Sequence, residues 1–162
     1  MNSDQFLGAL AADGVLLMGV VNVTPDSFSD GGRHFDRDSA VAHGLRLVEE
    51  GADIVDVGGE STRPGAEPVG LDEELRRVLP VVRVLASAGV AVSIDTRHAV
   101  VAEAAVAAGA CLLNDVSGLR DPAMREVAAR HGVPAVAMHM PVDDPATMQQ
   151  HTDYTDVVDD VV

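Results

Sequence analysis

Residues 89–115 read Gly89-Val-Ala-Val-Ser-Ile-Asp-Thr-Arg-His-Ala-Val-Val-Ala-Glu-Ala-Ala-Val-Ala-Ala-Gly-Ala-Cys-Leu-Leu-Asn-Asp115. A short apolar run, Val90–Ile94, ends on Asp95. A helical segment follows at about Arg97–Ala108, and Gly109 stops it. A second apolar run, Cys111–Leu113, delivers Asn114 and Asp115. Strands apolar on both faces and joined by a helix are parallel and buried on both sides. This stretch is one β/α/β unit with a polar group at each strand's carboxyl end.

The same pattern recurs on both sides. Leu16–Val21 runs into Asn22. Ile54–Val57 carries Asp56 and meets Gly58, Gly59 and Glu60. Ala135–Met138 runs into His139. Helices are expected at Asp38–Glu50, Leu71–Ala88 and Asp121–Arg130, stopped by Gly51, Gly89 and Gly132. In the first of these, Val41, Leu45 and Val48 share one face. In the second, Asp72, Glu73 and Glu74 fill the first turn, where the helix dipole favours them, and Pro80 is expected to bend or break it. Pro122 suits the first turn of the third. A further helix starts near Tyr154. Residues 1–14 read as a lead-in, and 15–162 as one domain.

Two architectures fit such alternation: a doubly wound open sheet, or part of a closed barrel. No G-x-G-x-x-G follows a strand, which counts against the nucleotide-binding open sheet. Polar residues at all the strand ends favour a TIM-type (β/α)8 barrel, which builds its active site there. The chain supplies about the first five β/α units.

The composition is 47% apolar with 2% aromatic and no Trp, so the core is mostly Val, Ala and Leu. The net charge is −15, and all 11 basic residues are Arg. Nucleic-acid binding needs a basic stripe, and none is visible. No run is long and apolar enough to span a membrane. The single Cys, Cys111, reads as a buried thiol in a reducing compartment, so a cytoplasmic location is expected. High-salt adaptation or a GC-rich genome would each give this acidic, Arg-only profile.

Two long loops carry chemistry-bearing residues. The segment Met18–Gly32 places Asn22, a neutral oxygen donor, at a strand tip and Phe28 in a polar loop. An apolar ring in such a loop covers a ligand, or else tucks into a local core. The segment Asp56–Gly65 holds paired glycines with Ser61, Thr62 and Arg63, a planar cation suited to carboxylate or phosphate. Its plain alternative is a Gly-rich loop whose Arg pairs with Asp56 or Glu60. Asp95 and Asn114 together suit the edge of a guanine- or pterin-like ring, since a carboxylate accepts two N–H groups and an amide both donates and accepts. Helix capping is the structural alternative for Asp95 and the favoured role for Asp115. His139 reads first as a structural residue, and the other His show no ligand spacing, so no zinc site is expected.

Taken together, Met18–Gly32, Asp56–Gly65, Ser93–Thr96, Asn114–Ser117 and Met138–Met140 resemble dihydropteroate synthase, the folate-pathway enzyme that sulfonamides inhibit. The segments occur in that family's order and spacing. The resemblance implies an α/β barrel joining 4-aminobenzoate to 6-hydroxymethyl-7,8-dihydropterin diphosphate, with release of diphosphate. It implies that Asn22 holds Mg²⁺ against the diphosphate, and that Asp95 and Asn114 bind the pterin ring. Thr62, Arg63 and Pro64 on the second loop, with Phe28 on the first, would close over the aminobenzoate. Val116 and Met138 would form apolar pocket wall. A homodimer is implied for the full-length protein.

The family's later strands bring a second pterin-binding Asp, a Lys, and an Arg and His for the diphosphate. None of those segments is present, and the chain has no Lys. A fragment, inactive by itself, is therefore expected. The competing readings are a pterin-dependent methyltransferase barrel and a non-catalytic half-barrel that binds pterin or a partner subunit.

Overall fold

The computed structural model describes residues 3–13, 15–24, 37–61, 69–142, 147–151 and 153–161. In chain order the elements are α1 (Ser3–Asp13), β1 (Met18–Asn22), α2 (Arg37–Glu49), β2 (Ile54–Gly58), α3 (Leu71–Ser87) and β3 (Val92–Asp95). They continue with α4 (Ala99–Ala107), β4 (Leu112–Asp115), α5 (Pro122–His131), β5 (Ala135–Ala137), a 3₁₀ turn (Met148–Gln150) and α6 (Val157–Val161). The last helix starts a little beyond the expected Tyr154.

The strands form one five-stranded sheet in the order β1-β2-β3-β4-β5, every pair parallel. A doubly wound sheet reverses its strand order at a switch point, and this one does not. Right-handed crossovers with monotonic order place all the connecting helices on one face, which is the construction of a barrel wall. Consecutive helices pack side by side: α2 on α3, α3 on α4, α4 on α5.

The core lies between sheet and helices. Val21, Val55, Val57, Val92, Ile94 and Leu113 point outward from the strands and meet Val78, Val81, Leu85, Val101, Ala105 and Met124 from the helices. The other face of the sheet turns inward. There Met18 and Val20 on β1 and Val136 on β5 are exposed, because among the described residues no further strand closes the curve.

Two expectations change. The lead-in forms helix α1, and Phe6 packs under the sheet with Ile54, Ala91, Cys111 and Leu112, all at the amino ends of β2 to β4. The segment plugs the floor of the partial barrel and hides Phe6 from water. Of the bend or break expected at Pro80, the break does not occur: helix α3 runs on through it. Burial of Val78, Val81, Val82 and Leu85 outweighs the loss of one backbone donor there.

Candidate active site

The parallel register places Asn22 opposite Gly58, Gly58 opposite Asp95, and Asp95 opposite Asn114. Three of the residues singled out in the sequence thus share one row at the carboxyl rim. Each ends or nearly ends its strand, so its side chain stands over the barrel mouth. One inward position below, the row is Val20, Asp56 and Ser93, followed by Leu112.

Asp56 and Ser93 are functional candidates that motif reading alone does not single out. Asp56 lies inside β2 and is buried. Its Oδ2 accepts a hydrogen bond from Asn114 Nδ2 at 2.9 Å, while Asp56 Oδ1 and Ser93 Oγ have no hydrogen-bond partner among the described residues. Burial pushes the Asp56 carboxyl above its ordinary value, and nearby Ser93 and Asn114 offset part of that rise. The signal that could find them is the two-residue strand period: positions 56 and 93 sit one inward step below 58 and 95.

Asp95 does not cap α4; His98 occupies the N-cap position. Burial first, then the negative charges of Asp56, Glu74, Asp115 and Glu60, push its carboxyl up to about 7. A carboxylate-rich, dehydrated rim of this kind holds a proton that an exposed aspartate would lose, and it favours a ligand bringing N–H donors or positive charge.

Asp115 is structural. It is fully buried, and its oxygens accept from Ser117 N, Ser117 Oγ and Leu119 N at 2.7–3.0 Å. Val116 beside it is buried, whereas Met138 is half-exposed. Met138 lines a cleft of about 260 Å³ with Ser117, Gly118, Arg120, His139 and Val161. That cleft lies to one side of the polar row and contains none of its members. His139 is exposed, with its ring 5.8 Å from that of Tyr154. Phe28, Thr62, Arg63 and Pro64 lie outside the described residues.

Sequence spacing also does not show a grouping of Glu60, Glu74 and His98, whose ligand-type atoms lie within 4.8 Å of one another. Its atoms are already engaged. Glu74 binds Thr96 Oγ1 and His98 Nδ1, each at 2.7 Å, and the Arg97 guanidinium is 3.3 Å from Glu60 Oε1. The group holds loops together, and the Arg97 cation already lies beside it. Among the described residues no helix is long and apolar enough to cross a membrane.

Known proteins share this arrangement. The profile of the pterin binding enzyme family matches residues 18–162. A probable bifunctional folylpolyglutamate synthase/dihydropteroate synthase of Haloferax volcanii is 53% identical over 150 residues, covering 93% of this chain and 18% of that protein. The Xanthomonas albilineans dihydropteroate synthase solved with 4-aminobenzoic acid superposes with a TM-score of 0.79 at 54% identity, covering 89% of this chain and 50% of that one. The same enzyme in complex with 7,8-dihydropteroate gives a TM-score of 0.74 at 49% identity, covering 89% and 49%. The chain therefore spans about half the length of these solved relatives. A profile match from the first strand onward, over a wall of parallel strands with polar tips, means that the chain belongs to the pterin binding enzyme family.

Proposed function

We propose that this chain forms the pterin-binding side of a dihydropteroate synthase, which condenses 6-hydroxymethyl-7,8-dihydropterin diphosphate with 4-aminobenzoate and releases diphosphate. The observation that carries the reading is the single row of Asn22, Asp95 and Asn114 at the carboxyl rim. Asn114 commits its Nδ2 to Asp56, which leaves Oδ1 to accept an N–H from the heterocycle. Asp95 beside it accepts from the amidine-like edge of the ring. Two neighbouring partners in one row set the ring's orientation, so that the exocyclic methylene faces the aminobenzoate. Val116 and Met138 supply apolar wall. Phe28, Thr62, Arg63 and Pro64 close over the aminobenzoate from the two long loops.

The donor set suits Mg²⁺. Asn22 offers a neutral, hard oxygen, half-buried at the end of β1. Mg²⁺ takes one or two protein oxygens and completes its shell with water and phosphate oxygens. The paired atoms of Glu60, Glu74 and His98 suit it less. Bound at Asn22, the ion would supply positive charge to the diphosphate. The chain's own residues hold the pterin while the C–O bond at its methylene breaks. The electron pair leaves with diphosphate, the ring stabilises the cation, and the amine nitrogen attacks and gives up a proton. Catalysis of this kind is mainly positional and electrostatic.

Turnover belongs to the whole barrel, since among the described residues the five-stranded sheet leaves both edges unpaired. The proposal includes a cytoplasmic location, in keeping with the free, buried Cys111, and a homodimer of the full-length protein. The test is calorimetric titration of the chain with the pterin diphosphate, with and without Mg²⁺, beside Asn22→Ala and Asp95→Ala. Binding that Asp95→Ala abolishes, and that Mg²⁺ strengthens only when Asn22 is present, is the expected result. Binding indifferent to Asp95 overturns the reading. Adding 4-aminobenzoate and finding dihydropteroate would mean that two chains together complete the site.

A further inference from the structure

Glu74, in the first turn of α3, is a fully buried carboxylate whose hydrogen-bond partners are Thr96 and His98 rather than the polar row. Both of its oxygens are taken. Oε1 accepts from Thr96 Oγ1 at 2.7 Å, and Oε2 lies 2.7 Å from His98 Nδ1. Thr96 directly follows Asp95 and is itself buried. Its N–H donates to the Asn114 carbonyl at 3.1 Å, and its hydroxyl accepts from the His98 N–H at 3.1 Å. The backbone leaving Asp95 is thus tied on one side to β4 and on the other to α3.

The same turns of α3 also hold the tip of β2. Arg77, nearly buried, donates from Nη1 to the Gly59 carbonyl at 2.9 Å. A Cβ at Gly59 would lie 2.8 Å from Val78 Cγ1 and 3.0 Å from Glu74 Cγ, so the tip sits directly on the helix. A buried carboxylate is costly to desolvate and is sustained where its hydrogen bonds are complete. Here each oxygen has a partner, and one of the two partners is Thr96, the residue next to Asp95.

We propose that Glu74 is the positioning residue for Asp95, acting through the Thr96 hydroxyl to fix the angle at which the Asp95 carboxyl meets its ligand. This rests on the reading of Asp95 as a pterin-binding group. Glu74 has a second effect through its charge. With Asp56 on β2, Glu60 beyond it and Asp115 on β4, it faces Asp95 and favours the protonated carboxyl.

The test uses the 162-residue chain and two readouts. The first is the Asp95 carboxyl followed by ¹³C NMR, for its titration midpoint and for the coupling that reports its χ1 rotamer. The second is the affinity for 6-hydroxymethylpterin, measured by fluorescence. Glu74→Ala and the isosteric Thr96→Val should each average the rotamer and weaken binding on the order of tenfold to a hundredfold. Glu74→Gln keeps a bond to Thr96 and should recover most of the affinity, while the midpoint still falls because a negative charge is gone. A rotamer and an affinity unchanged in Thr96→Val overturn the proposal, and Thr96→Val serves if Glu74→Ala does not fold. Asp95→Ala separates the two readings. If it binds as well as wild type, the pterin assignment fails, while the rotamer data still decide whether Glu74 positions Asp95.

Discussion

Asn114 Nδ2 donates to Asp56 Oδ2 at 2.9 Å across 58 residues of chain, joining β4 to β2 over the intervening β3. Asp56 is buried and its other oxygen has no partner, so among the described residues this bond is its one hydrogen bond from a side chain. Asn114→Ala should cost about 2 kcal/mol at pH 8 by stranding a buried carboxylate. The cost should shrink on going from pH 8 to a lower pH, as the Asp56 carboxyl, raised above its ordinary value by burial, gains a proton. Denaturant titrations at the two pH values check this, and equal costs would argue against it.

Asp95 has a folded-state pKa of about 7 against an ordinary 3.8. Below the ordinary value both states are protonated and nothing is gained or lost. Between about pH 4 and 7 the folded chain binds the extra proton, so stability falls as pH rises, and above 7 the whole penalty is present. Asp95→Asn removes it. The variant should match wild type near pH 4 and exceed it at pH 8 by at most about 4 kcal/mol, since each tenfold change in proton affinity is worth about 1.4 kcal/mol. Thermal melts across that window test the sign, and an Asp95→Asn that melts lower at pH 8 refutes it.

Gly118 and Gly89 both have positive φ, 71° and 84°. A Cβ at Gly118 would lie 2.6 Å from the Met138 carbonyl oxygen, whereas at Gly89 it would meet nothing within 4 Å. Gly89→Ala should therefore cost only the backbone strain, about 1 kcal/mol. Gly118→Ala should cost about 3 kcal/mol, because the loop after β4 must also move off Met138, just beyond β5. Comparable losses in the two variants would mean that the loop yields freely.

Phe6 is buried beneath the sheet. Phe6→Ala should cost about 3 kcal/mol by opening a cavity against Ile54 and Leu112. Urea unfolding measures it directly. A loss below about 0.5 kcal/mol would mean that α1 is not docked in solution.

Cys111 is buried, and burial raises its thiol pKa. A disulfide reagent such as DTNB should react with it slowly in the folded chain and at once in urea. Fast labelling under native conditions would show that the floor under α1 opens.

Much of this architecture is local and legible in the amino-acid sequence. Apolar runs of three to six residues, each closed by a polar tip and separated by a helix that a glycine stops, already specify parallel β/α units. Asn22, Asp95 and Asn114 stand out because each interrupts such a run at its carboxyl end. Helix α1 does not stand out. Its eleven residues, Ser3–Asp13, show little amphipathic pattern, and what holds Phe6 is a floor built from residues 54–112. The role of Glu74 is hidden for a related reason: an acid in a first turn always suits the helix dipole, and nothing nearby in sequence reveals Thr96 and His98 above it.

The sequence alone determined the strand–helix alternation, the polar strand tips and the family resemblance, because periodicity, glycine stops and motif order are properties of neighbouring residues. The tertiary structure decided which tips share a row, that Asn114 reaches Asp56, and that Glu74 is buried behind Asp95. Those facts depend on the hydrogen-bond register between strands distant in sequence. A shift of one residue would turn every one of those side chains to the other face of the sheet.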